Sequence, residues 1–281
     1  MSTHVQQHYV PKFLLEEWRS GPDRKLTAYR WRAGRLVESR CSPKGVAKVE
    51  HLYSLRRTDE SPDVRLERDY FGPKLDSLAA PIHRRLVAGE LEALSDEERV
   101  DWGRFILAQM VRVPVMVEFM RTLGRKTQIE QLQHMAVNAG HPAAAKIWER
   151  MERAHVVDDV GIKVLPQFIE SPKLNRKLYD ASWGVIELDD GPIDALLSDS
   201  PVGYLGDLAD SRFVFILPLT PSRLFVCASG QEDLSRIQAG NAARFVKATN
   251  RKLVQQAQEY VFSTNANHTP LVSKHLRQGA R

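Results

Sequence analysis

Between Trp183 and Cys227 the chain is cut into pieces too short for helices. Asp189-Asp190-Gly191-Pro192, Ser198-Asp199-Ser200-Pro201-Val202 and Pro218-Leu219-Thr220-Pro221-Ser222 separate runs rich in β-branched and aromatic residues. Proline fixes φ and lacks an amide hydrogen, glycine permits tight reversals, and Asp and Ser side chains bond nearby amides. Each link therefore ends a strand. The pattern predicts strands at Trp183–Leu188, Asp194–Leu197, Phe213–Leu217 and Leu224–Cys227. The SDSPV pentapeptide, with an acid between two hydroxyls at a strand end, is the polar centre of this region.

The rest of the chain reads mostly as helix. Pro11 opens a short helix at Lys12–Trp18, with Phe13, Leu14 and Trp18 facing inward. Lys25–Trp31 and Arg35–Arg40 read as a β-hairpin around Arg32-Ala33-Gly34, with Tyr29 and Trp31 on one face and Arg30 and Arg32 on the other. Pro43–Val49 has a weaker helical tendency, and residues 57–63 read as an exposed loop. Helix is predicted again from Leu66. Ser95 and Glu98 form a capping-box signature ahead of a buried 3–4 repeat: Trp102, Phe105, Ile106, Gln109, Met110, Val113. Pro114 is predicted to kink that helix. Gly124 and Gly140 punctuate the next one, and His141-Pro142 opens another that carries Trp148. Gly230 and Gly240 bracket a short helix. The last long helix is predicted over Asn241–Ser263, with Asn250 on its apolar stripe.

The expected fold is α+β and predominantly helical, with an N-terminal β-hairpin and a small, mainly antiparallel sheet in the C-terminal half. Residues 1–270 form one domain, and residues 271–281 a mobile basic tail. Of 281 residues, 43% are hydrophobic and 27% charged, which excludes a disordered chain. No apolar run approaches the ~20 residues that span a bilayer, and MSTHVQQHYVPKF lacks the order of a secretory signal. Cys41 and Cys227, far apart and outside any CxxC, fit a reducing cytoplasm. The net charge of +5 permits an anionic partner. No glycine-rich phosphate loop, HExxH or GxSxG motif occurs.

Three pieces of the chain are similar to the uncharacterised family known as domain of unknown function 4238. They are QHYVPKFLLEEW at Gln7–Trp18, SDSPV with the later PLTPS, and the terminal segment carrying Asn250 and Tyr260-Val261-Phe262-Ser263. Leu26–Tyr29, His51–Tyr53, Glu67 and Phe105–Pro114 fall between them in the order the family shows. Leu197 and Ser200 stand where the family often has Thr and Asn. The resemblance implies an intracellular protein of bacterial type and no particular activity.

Candidate site residues follow from side-chain chemistry. His8 is the candidate acid/base, since imidazole titrates near neutral pH, with Gln7 and Tyr9 beside it to orient substrate. Asp199 and Glu67 are carboxylates able to act as catalytic groups or to ligate Mg²⁺ or Mn²⁺ for phosphodiester hydrolysis. Arg112, next to Val113-Pro114, is the candidate phosphate clamp. Ser198, Ser200 and Asn250 are assigned to substrate binding. A carboxylate or histidine in such places also serves to fix a loop, and an arginine in a helical core also pairs with an internal acid. Arg30, Arg32 and Arg35 beside Tyr29 and Trp31 suggest a nucleic-acid surface, or else a solvated face over packed aromatics. The Arg150–His155 spacing matches one class of helical ribonuclease but does not place both side chains on one helix face. The expected function is cytoplasmic hydrolysis of nucleic-acid or nucleotide phosphodiesters, RNA or DNA. The competing expectation is a non-catalytic binding or interaction protein.

Overall fold

The structure is a computed structural model and describes residues 5–56, 61–139, 146, 147, 150, 156–188, 193–206 and 208–278. Strand β1 (Gln6–His8) is followed by α1 (Lys12–Glu16) and the hairpin β2 (Leu26–Arg32) and β3 (Arg35–Cys41). Ala33 and Gly34 close that hairpin with φ of +47° and +73°, the left-handed pair that matches strand twist in a two-residue turn. Only the first part of Pro43–Val49 coils, as a single 3₁₀ turn at Pro43–Gly45. The chain then extends as β4 (Lys48–Glu50), antiparallel to β1. Pro62–Asp63, predicted as loop, pairs as β6 with β5 (Leu55–Arg56).

A π-helical turn sequence, Leu66–Asp76, runs into α2 (Ser77–Val87), then α3 (Asp96–Val111) and α4 (Pro114–Ala139). The capping box forms as its sequence predicts: the Ser95 hydroxyl accepts from the Glu98 amide at 3.2 Å, and the Glu98 carboxylate accepts from the Ser95 amide at 2.8 Å. Pro114 does more than kink the helix. It ends α3 and stands first in α4, where its missing amide hydrogen costs nothing. Gly124 does not punctuate α4 but lies inside it, because α5 (Val156–Lys163) crosses there at backbone contact. A Cβ on Gly124 would lie 2.5 Å from the Gly161 amide nitrogen, and one on Gly161 only 1.7 Å from the Met120 carbonyl oxygen. The short helices α6 (Leu165–Ile169) and α7 (Pro172–Tyr179) follow. His141-Pro142 and Trp148 lie outside the described residues.

The remaining strands are β7 (Ser182–Glu187), β8 (Leu197–Ser198), β9 (Gly203–Leu205), β10 (Val214–Thr220), β11 (Arg223–Ala228) and β12 (Val261–Ser263), with helices α8 (Gln231–Gln238), α9 (Ala242–Gln256) and α10 (Thr269–His275). They divide between two antiparallel sheets, ordered β7-β11-β10-β9 and β3-β2-β12-β8. The SDSPV turn therefore leaves from the hairpin's sheet. The predicted terminal helix stops seven residues early, at Gln256, and its end becomes β12. Residues 271–276, expected to belong to a tail, pack on the body of the protein: Val272 of α10 and Leu276 just beyond it are buried in one cluster with Tyr29 and Val254.

The main core joins α1, α2 and α3 to the inner face of β10 and β11. Trp102 stacks on Phe105 at 5.0 Å and meets Phe225 edge-on at 5.7 Å. Each such ring, fully withdrawn from water, contributes roughly 1.5–3 kcal/mol. No helix among the described residues is long and apolar enough to cross a membrane.

The α4–α5 crossing makes a sharp prediction. Gly161→Ala forces two backbones apart and is expected to destabilise by about 3 kcal/mol or more in urea unfolding. Gly103→Ala, whose Cβ would meet Leu178 at an ordinary 3.6 Å, is expected to be neutral or to stabilise by up to about 1 kcal/mol.

Candidate functional site

The SDSPV turn is a knot of satisfied hydrogen bonds. Asp199 is 1% exposed, and its carboxylate accepts from the amides of Gln258 at 2.8 Å, Glu259 at 2.6 Å and Tyr260 at 2.9 Å. Burial pushes its carboxyl up to about 6, against the three amides that favour the charged form. Both oxygens of Asp199, expected from its position to be catalytic or metal-binding, are bonded to the backbone and anchor the turn. Ser198 is fully buried and folds its hydroxyl onto the Ser200 carbonyl at 2.6 Å, accepting in turn from the Ser200 amide at 3.2 Å. Asn250, buried on α9, accepts from the Leu196 amide and donates to the Asp194 carbonyl, both at 2.8 Å. Gln256 donates to the carbonyls of Ser200 at 2.5 Å and Val202 at 2.9 Å. Ser198 and Asn250, expected to bind substrate, are thus bonded to the backbone.

His8, Glu67 and Arg112 come together in a second network. Arg112, 0% exposed, clamps the Asp76 carboxylate at 2.6 and 3.2 Å and donates to the His8 carbonyl at 2.5 Å. Burial works against its charge, but Asp76, then Tyr53 and Glu67, hold it protonated above the ordinary arginine range. The predicted phosphate clamp is therefore an internal brace, because its guanidinium is enclosed and already bonded. Gln7, also expected to bind substrate, is fully buried; it accepts from the Tyr53 amide at 2.6 Å and donates to Ser54 at 3.2 Å, tying β1 to the segment after β4. Tyr9 is 3% exposed. Burial and the charges of Asp199 and Glu259 raise its phenol above the usual range, keeping it neutral.

Two groups of this network keep acid/base character. Burial, then Lys12, Lys48 and Arg112, lower His8 to about 4, so its imidazole is neutral at pH 7 and not the near-neutral titrating group expected. Glu67 is that group. Burial pushes its carboxyl up to about 7, against the pull of Arg112. His8 Nε2, Glu67 Oε2 and Arg112 Nε are all buried without a hydrogen-bond partner among the described residues. Asp199 takes no part in this network, and no three His, Cys, Asp or Glu side chains gather among the described residues as a metal ion would need. Asp199 and Glu67, the two carboxylates expected to ligate Mg²⁺ or Mn²⁺, thus lie in separate networks.

The hairpin's aromatics face inward. Tyr29 donates to the Asn265 carbonyl at 3.0 Å and Trp31 to the Leu276 carbonyl at 2.9 Å, while Arg30 pairs with Glu259 at 3.3 Å. His155 lies outside the described residues.

A groove of about 1630 Å³ passes along the other side of the SDSPV turn, which contributes Ser200 and Val202 to its wall. Its apolar floor includes Met110, Val113, Phe168 and Phe215. Around it stand Lys173, Lys252, Lys274 and Arg277, with Lys177 and His275, and no Asp or Glu among the described lining residues. Lys177 is occupied by the carbonyls of Leu208 and Asp210 at 2.5 and 2.6 Å. Lys173, Lys252, Lys274 and Arg277 carry no ion pair among the described residues. Tyr204, 45% exposed, lies beneath the Lys252 ammonium, which is 4.9 Å from its ring centre. The groove is invisible in the sequence because its cations come from α7, α9, α10 and the residues just beyond α10, and two of them fall in the segment expected to be a tail. Gln109, a polar residue in an otherwise apolar repeat, is the one visible sign.

A family model described as "Protein of unknown function (DUF4238)" matches residues 6–267. The chain belongs to that family. In this DUF4238 chain the matched span takes in β1, the SDSPV turn and all of α9 and β12, the parts that the Asp199 and Arg112 networks join. No curated protein and no solved structure matches it.

Each network can be tested by one substitution. Asp199→Ala strands three amides and is expected to cost about 2–4 kcal/mol in urea unfolding. For Glu67 the native pKa of about 7 lies above the unfolded 4.5, so the native state holds the extra proton between these values and loses stability as pH rises through them. Glu67→Gln is therefore expected to match the parent near pH 4 and to exceed it by about 1–3 kcal/mol at pH 8.

Proposed function

We propose that this protein binds phosphate-bearing ligands, single-stranded nucleic acid first among them, in the groove beside the SDSPV turn. The carrying observation is a groove lined by Lys173, Lys252, Lys274 and Arg277, which carry no ion pair among the described residues, and by no described carboxylate. Such an edge attracts a polyanion and releases its counterions. Two further features support the reading. The volume exceeds the ~300–1,000 Å³ typical of a small-molecule pocket, leaving room for several nucleotides. Half-exposed Tyr204, with the Lys252 ammonium over its ring, puts an aromatic group beside a cation in the groove wall, a pairing that recurs where proteins hold single strands. The free thiols of Cys41 and Cys227 suit a reducing compartment such as a bacterial cytoplasm.

A second reading, phosphodiester hydrolysis, draws on Glu67 alone: a carboxyl held near 7 is suited to carry a proton. Incubation with labelled RNA and DNA, with and without Mg²⁺ or Mn²⁺, tests it. Cleavage that Glu67→Gln leaves unchanged at every pH would remove Glu67 from the reaction.

Binding is measured by fluorescence anisotropy with a labelled ~10-nucleotide single strand across a salt series. The logarithm of affinity is expected to fall with that of salt by about 0.7 per phosphate engaged. Lys252→Glu and Lys274→Glu should each weaken binding roughly tenfold and flatten that slope. Affinity insensitive to both substitutions would place the ligand elsewhere or nowhere.

A further inference from the structure

Exposed apolar surface on α4 continues one wall of the groove. Val115, Phe119 and Leu123 are 46%, 54% and 43% exposed. Single exposed apolar side chains are ordinary, but these three recur one helical turn apart and make a stripe. The packed side of α4 lies elsewhere: α5 crosses at Met120 and Gly124, and Gly124 points about 180° round the axis from Val115. Val115 and Met116 belong to the groove lining. At about 100° per residue, Phe119 points between them, one turn further on. A helical side chain also leans toward the amino end of its helix, so the Phe119 ring leans toward the turn that lines the groove. Its acidic neighbour Glu118 points about 160° from Met116, on the flank away from the groove. No ring or cation among the described residues rests on Phe119.

We infer that Phe119 is a base-stacking residue: a nucleotide at the mouth of the groove lays its base on this ring while the phosphates of the strand follow the cations. The two sides of the groove carry this assignment. Every described lining residue from α3 and α4 is uncharged, whereas Lys173, Lys252, Lys274 and Arg277 come from α7, α9, α10 and just beyond. A strand held by its phosphates on the second set turns its bases toward the first. Stacking needs one accessible aromatic face and no particular base, and the exposed Phe119 ring supplies that face. A second copy of this chain is a poorer occupant, since three half-exposed side chains fall far short of the ~800 Å² per partner of a stable interface. This inference rests on the groove reading, and its test separates the two.

The experiment measures fluorescence anisotropy at one salt concentration with two labelled strands of equal length, a mixed-sequence oligodeoxynucleotide and its fully abasic counterpart. Phe119→Ala and Phe119→Leu should each weaken binding of the base-bearing strand roughly tenfold, the effect of losing one stacked base. Both should bind the abasic strand as the parent does, and Phe119→Tyr should keep the parent's affinity for both strands. Lys252→Glu, by contrast, should weaken both strands. Because the ring is half exposed, the three Phe119 variants should melt within a few degrees of the parent. Full affinity for the base-bearing strand in Phe119→Ala would overturn base stacking and leave the groove standing. Full affinity in Phe119→Leu alone would overturn it too, since an apolar contact without a ring would then suffice. A parent dimer in sedimentation velocity that Phe119→Ala converts to monomer would give the stripe to a second copy and overturn it likewise. If the parent binds neither strand, the groove proposal fails and takes this one with it.

Discussion

Three backbone amides converge on the Asp199 carboxylate, and much of the molecule's connectivity depends on that convergence. Residues 258–260 would otherwise offer those amides to helical carbonyls four residues back, continuing α9. Asp199 takes them instead. The helix ends at Gln256 and the chain leaves as β12, which inserts between β2 and β8. The same bonds fix the SDSPV turn, so one carboxylate sets both where a helix stops and where the central strand of the hairpin's sheet begins. Asn250 and Gln256 reinforce the arrangement from the helix side.

The two polar networks differ in how fully they are satisfied. The Asp199 carboxylate is matched by three backbone amides, as a buried charge in a low-dielectric interior requires. Around Arg112, His8, Glu67 and Arg112 itself each keep a buried atom without a partner among the described residues. Incomplete networks of this sort shift proton affinities, and they do so here in opposite directions: the imidazole loses its proton easily and the carboxyl keeps one to near neutrality. The groove is a third environment, lined by cations and by apolar side chains.

What the sequence made legible was local. The capping box needs four consecutive residues and the hairpin turn needs two, so both could be read directly. The α+β class followed from the same short-range punctuation. The end of α9 could not be read, because the group that stops it lies 59 residues away from the first amide it takes. Gly124 looked like a break because a glycine chosen for close backbone approach is indistinguishable, in one sequence, from one chosen to end a helix. Asp199 and Arg112 show the same ambiguity at the candidate site. An acid at a strand end, or an arginine beside a proline, has identical local context whether it serves chemistry or architecture, and only its distant partners decide. The groove was hidden for a related reason: its cations lie on α7, α9 and α10 and just beyond, and no spacing rule links those segments.

The Arg112 brace has a consequence for how this molecule comes apart. Its guanidinium joins the carbonyl of His8 to a carboxylate at the junction between the π-helix and α2. Peeling the amino-terminal strand away would strip that carbonyl from a fully enclosed cation. Fraying at this edge is therefore coupled to rupture of the helical layer, and the first strand and the helices should yield in a single cooperative event.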